Sequence, residues 1–207
     1  MEEIDLTEIP NFDIIIVYVG LPLFGGEGAF VRCQPDAVLE IERRFLIRMP
    51  DVAALLAEGA GLRLIVQTYL VTPSGYSSER VRKSESGGVV TFTHTRKKRI
   101  ALEAAVEQER EISLAEYEAL LSRADPLRRP IEKKRLALAV GDLVYEIDIF
   151  PEWRETAILE VELPSAEHPL SIPSGIAVLR EITGERRYSN HALSLCFPPE
   201  ENISQTV

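Results

Sequence analysis

From Val38 onward the chain alternates apolar and polar residues with a period of two. Eight segments show this alternation or are rich in β-branched and aromatic residues: 38–48, 62–72, 77–84, 88–97, 100–112, 131–140, 143–150 and 156–164. Such segments predict strands. In the first of them Glu40, Glu42 and Arg44 fall on one face, and Leu39, Ile41, Arg43 and Phe45 on the other. Helical signals are fewer. Asp51 caps VAALLAEG, which Gly59 ends. Ser113 and Glu116 form a capping box, Ile112 and Tyr117 a staple, and Pro126 stops that helix. Residues 173–183 read as a short helix or turn. The expected class is mainly β (α+β), and eight antiparallel strands are enough to close a barrel with a few peripheral helices.

The charged faces recur along the chain. Arg80 and Arg82, Thr95 and Lys97, and Lys133 and Arg135 alternate on basic strands. Glu107, Glu109 and Glu111, Glu146 and Asp148, and Glu160 and Glu162 alternate on acidic ones. Taken singly, each is the wet face of a sheet. Taken together, the signs are segregated by strand, and the opposite faces are apolar enough to pack. If those apolar faces point outward, the charges line a lumen, where unpaired charge is costly. Carboxylates without bases suit Mg²⁺ or Mn²⁺, and Arg and Lys suit phosphate oxygens. Acids for metal and bases for phosphate describe a site for a metal–polyphosphate.

Bulk properties narrow the partners. With 207 residues the chain fits one domain. A net charge of −10 argues against nucleic acid or an anionic membrane. Residues 1–38 carry seven acids and one base, net −6, so the other 169 residues carry only −4. Residues 1–37 read as an extension: an added strand, a poorly ordered tail, or the product of a start codon assigned too far upstream. The run IIIVYVGLPLF at 14–24 is too short to span a membrane, and no signal peptide is evident. Two cysteines, Cys33 and Cys196, make no disulfide framework, so a cytoplasmic setting is the default.

The motifs, in order, resemble the CYTH domain, the superfamily of triphosphate tunnel metalloenzymes. Its E-x-E-x-K strand matches Glu40, Glu42 and, in place of Lys, Arg44. QTYL (67–70), RVR (80–82), T-x-K (95–97), E-x-E-x-E (107–111), I-x-K-x-R (131–135), EIDIF (146–150), LEVEL (159–163), EITG (181–184) and RYSN (187–190) follow. The resemblance covers 38–195 and leaves 196–207 as a C-terminal tail. It implies a closed eight-stranded antiparallel barrel, open at both ends, that binds a triphosphate with divalent metal.

Carried over by motif, Glu40, Glu42 and Glu162 would hold one metal. Asp148 and Glu160 would join Glu162 around a second, near the attacking water. Arg44, Arg80, Arg82, Lys97, Lys133, Arg135 and Arg187 would contact phosphate. Glu107 and Glu109 would either ligate or orient bases. Cys33, Cys196, His94, His168 and His191 have no partner motif and read as structural or surface. The RKKR run at 96–99 would steer anions at a rim or form a solvated turn with Lys97 alone inward. The expected activity is metal-dependent hydrolysis of inorganic triphosphate in the cytoplasm, by a monomer or homodimer with no nucleic-acid or membrane partner. The alternatives are a class IV-type adenylate cyclase or a non-catalytic polyphosphate- or nucleotide-binding module.

Overall fold

A computed structural model describes residues 14–19, 38–99, 104–165 and 167–201. Ten strands are present: β1 Ile14–Val19, β2 Val38–Arg48, β3 Gly61–Tyr69, β4 Ser78–Ser86, β5 Val89–Arg99, β6 Ala104–Glu111, β7 Ile131–Val140, β8 Leu143–Ile149, β9 Thr156–Leu163 and β10 Val178–Glu181. Three short helices accompany them: α1 Val52–Ala57, α2 Leu114–Leu121 and α3 Asn190–Leu193. Eight strands match the segments predicted from alternation, with ends shifted by a few residues. Both helix starts are as expected. Asp51 accepts from the Ala54 amide at 3.1 Å, and Ser113 from the Glu116 amide at 3.2 Å. The Glu116 carboxylate does not complete the capping box; it is drawn to Arg110 instead. Helix α2 stops at Leu121, before Pro126.

The strands form one sheet in the order β1-β6-β5-β4-β3-β7-β8-β9-β2-β10. The expected closed eight-stranded barrel is not what forms. Strands β2 to β9 do not close on one another directly. Strand β1 lies antiparallel to β6 over six residue pairs and parallel to β2 over three. Strand β10 lies antiparallel to β2, so part of 173–183 is a strand and not a helix. The physical reason is that an eight-strand pattern leaves edges with unpaired N–H and C=O groups. Segments outside the alternating pattern cover those edges.

The sheet is strongly curled. Strands β5 and β2 stand six steps apart in the order, as do β6 and β9. In a flat sheet that would be roughly 29 Å. Yet Lys97 on β5 bears electrostatically on Glu42 on β2, and Glu107 on β6 on Glu162 on β9.

Directly paired residues share a face, so the register sorts the chain into two skins. The outer skin is apolar. Phe45, Ile47, Leu136, Leu138, Tyr145, Ile147, Leu159 and Val161 bury themselves beneath α1 and the loop through Leu170, Ile172 and Ile176. Each large side chain there contributes roughly 1.5–3 kcal/mol. On the far side Leu70, Val81, Ile112 and Tyr117 pack against α2 with Phe92, Leu120 and Leu121. The inner skin carries the charges.

One end of the curl is filled, against the expectation of two open ends. Leu46, Ile131, Phe150, Trp153, Ile158, Ile182, Tyr188 and Leu193 form a second buried cluster there. The chain from Ile182 to α3 lies across that end. Residues 196–201, expected as part of a C-terminal tail, strap it down. Phe197 packs edge-on against Phe150 and Trp153, and Trp153 Nε1 donates to the Pro198 carbonyl at 3.1 Å. The amides of Arg154, Glu155 and Thr156 donate to Glu200 Oε1 at 2.7–3.0 Å. Among the described residues no helix is long and apolar enough to cross a membrane.

Candidate active site

The inner skin gathers most of the residues that the motifs single out. On β2 and β9, Glu42 pairs in register with Glu162, and Arg44 with Glu160. Arg44 Nε lies 3.0 Å from Glu160 and 3.3 Å from Glu42. One of its terminal nitrogens donates to the Tyr188 carbonyl at 2.7 Å, which ties the site to the filled end.

Strands β7 and β8 form a self-neutralised wall. Arg135 grips Asp148 with two parallel bonds of 2.6 and 2.7 Å, reaches Glu160 at 2.7 Å, and also pairs with Glu146. Lys133 donates to the same Asp148 carboxylate. Burial alone would raise the Asp148 pKa, but Arg135 and Lys133 hold it well below the carboxylate range. Burial, aided by Arg135, lowers Lys133 to about 8, while Asp148 and Glu160 resist that fall.

The adjoining wall, β9 and β2, is short of cations. Burial first, then Glu160 and Glu162, push Glu42 up to about 7 against the pull of Arg44 and Lys97. Glu162 is raised by burial and by Glu146, Glu160 and Glu107, with Arg135 opposing. These carboxylates repel one another between neighbouring strands, and Glu107 on β6 adds to the repulsion on Glu162.

The bases of β4 and β5 complete the ring. Arg80 donates to Glu107, and Lys97 stands 3.7 Å from the same carboxylate. Thr95 donates to Glu109 at 2.7 Å. Of the two roles open to Glu107 and Glu109, orienting their neighbours is the one this geometry displays. Arg82 donates to the Gln67 amide oxygen at 3.2 Å, makes no ion pair among the described residues, and has an Nε without a hydrogen-bond partner. Burial and the nearby Arg80 and Arg135 lower its pKa. A cation so placed favours an incoming anion.

Two expectations end elsewhere. Arg187 is 58% exposed, paired with Glu185 and Glu201 outside the charged ring. The RKKR run is the end of β5 and not a rim turn. Its Arg96 turns outward to Glu79, at 3.0 Å, where His94 and Arg123 also converge. The Glu40 side chain lies outside the described residues, as does Cys33. Three inner residues had no role assigned from sequence: Gln67, Tyr69 and Glu146. Gln67 is fully buried and donates to the Tyr69 hydroxyl at 3.1 Å. Its signal was a lone amide in the apolar run LIVQTYL, opposite Arg82 in register.

The resemblance of the motifs implies a divalent metal. Among the described residues no three His, Cys, Asp or Glu side chains are grouped to hold one. The donor chemistry still fits a hard cation. Glu42 and Glu162 are oxygen donors whose charge other carboxylates crowd and few bases offset. Asp148 fits less well, because Lys133 and Arg135 already occupy both its oxygens.

This geometry can be set beside solved structures. The inorganic triphosphatase NE1496 is 28% identical and covers 78% of this chain and 98% of its own, with a TM-score of 0.51. The ordered motifs and the charged inner skin point the same way as that likeness. The chain is similar in fold and in its ordered motifs to the CYTH, or triphosphate tunnel, superfamily. Other solved structures are less similar. The PH1819 protein of Pyrococcus horikoshii OT3 is 16% identical, covering 60% of this chain and 80% of that one, with a TM-score of 0.43. A Bacillus halodurans protein provisionally named an adenylate cyclase is 17% identical, covering 81% and 96%, with a TM-score of 0.43. Neither lower-scoring match bears on activity. No family model and no curated protein matches the chain.

Proposed function

We propose that this protein is a divalent-metal-dependent triphosphatase that cleaves inorganic triphosphate to pyrophosphate and phosphate. One observation carries the reading: on the inner skin, one wall balances its own charge, its neighbour crowds carboxylates together, and Arg82 on β4 makes no ion pair among the described residues. A metal–triphosphate brings cation to the acids and anion to the bases. The 28% identity to an inorganic triphosphatase supports the substrate class.

Glu42 and Glu162 would hold Mg²⁺ or Mn²⁺, with Glu40 and Glu160 beside them in the motif. When bound, such a cation offsets phosphate charge and lowers the pKa of a coordinated water. The chain's own residues do the remaining work. Arg44, Arg80, Arg82 and Lys97 bind phosphate oxygens and stabilise charge moving onto the leaving oxygen. Asp148 keeps Lys133 and Arg135 charged and aimed into the lumen. The apolar floor around Leu46 and Ile158 keeps bulk water out from below. No covalent intermediate is needed.

The test is a substrate panel of triphosphate, ATP, thiamine triphosphate and longer polyphosphate, each with Mg²⁺ and with Mn²⁺. Fastest phosphate release from triphosphate is expected. Cyclic AMP and pyrophosphate from ATP would select a cyclase, and tight binding without turnover would select a binding module.

A further inference from the structure

We propose that Arg63 determines polyphosphate chain length by receiving a phosphate beyond the third. The proposal rests on the triphosphate reading of the lumen. In register, Arg63 on β3 stands opposite Arg135 on β7. Directly opposed residues share a face, with Cβ atoms about 5 Å apart, and like charges so placed destabilise a sheet. Arg135 offsets its charge on Glu146, Asp148 and Glu160. Arg63 is exposed and, among the described residues, makes no ion pair or hydrogen bond through its side chain.

Position adds the second argument. The end bearing Leu46, Ile158, Phe150 and Tyr188 is filled with apolar side chains. Arg63 lies toward the opposite end, where the next inner pair outward is Gly61 and Ala137, neither carrying a long side chain. A linear polyphosphate seated against Arg80 and Arg82 cannot extend through the filled end. Extra phosphates must run toward Arg63, whose planar fork matches phosphate oxygens. The motif strands do not include this position, since the QTYL landmark begins four residues later.

The experiment compares wild type, Arg63→Ala and Arg63→Lys with inorganic triphosphate and tetraphosphate, reading KM and, by calorimetry, Kd. Arg63→Ala is expected to weaken tetraphosphate relative to triphosphate by roughly 5- to 10-fold, the scale of one charged contact near solvent. Arg63→Lys is expected to recover part of that ratio. An unchanged ratio, with an unchanged unfolding midpoint, overturns the proposal while leaving the triphosphate reading intact. A wild-type chain that neither binds nor cleaves either anion overturns both.

Discussion

Asp148 and Glu42 are both inward carboxylates on neighbouring stretches of one sheet, yet their surroundings act in opposite directions. Asp148 is buried between Lys133 and Arg135, and its pKa falls. Glu42 is half-buried beside Glu160 and Glu162, and its pKa rises to about 7. Burial raises both; neighbours decide the sign. The β7–β8 wall is therefore structural in its charge, complete without a ligand. The β2–β9 wall holds an imbalance that the proposed metal–triphosphate would relieve.

The largest effect should come from breaking the balanced wall. Asp148→Asn leaves Lys133 and Arg135 without their shared carboxylate and should cost about 3–5 kcal/mol, read by urea unfolding. Next is the floor that closes the lumen from below. Leu46→Ala should cost about 2–4 kcal/mol by the same measurement, because Leu46 is 1% exposed within the apolar cluster.

The imbalanced wall should respond in the reverse sense. In Glu42 the folded pKa of about 7 stands above the ordinary 4.5. Its contribution to stability is whole below pH 4.5 and is lost as pH rises through 7. Glu42→Gln should therefore stabilise the metal-free protein at pH 8 by about 1–2 kcal/mol and leave it nearly unchanged at pH 4. Added Mg²⁺ or Mn²⁺ should stabilise wild type at pH 8 and stabilise Glu42→Gln much less. Asp148 titrates the other way: its contribution is present above its ordinary 3.8 and lost as pH falls further. The smallest effect belongs to Arg44→Lys, which restores the family residue. It loses the bond to the Tyr188 carbonyl and should change stability by about 1 kcal/mol or less.

Much of this was legible in the chain. Strict alternation marks which face of each strand is charged, and caps at Asp51 and Ser113 mark two helix starts. What alternation does not carry is partnership between distant strands. Nothing local distinguishes YEIDIF from LEVEL, yet one acid meets two bases and the other meets acids. The same holds for the strand at Val178–Glu181, whose pairing with β2 lies over 130 residues away in sequence. The filled end was hidden because Leu46 and Ile158 look like ordinary strand residues until Tyr188 and Leu193 pack on them.

The central claim is that the acid-rich wall exists to hold a metal–triphosphate. Its most direct test is phosphate release from inorganic triphosphate with Mg²⁺ or Mn²⁺ at pH 8, in wild type and Glu42→Ala. The account predicts turnover in wild type that falls at least about 100-fold in the variant, the scale of lost charge stabilisation in a transition state. Equal rates in the two proteins would contradict it.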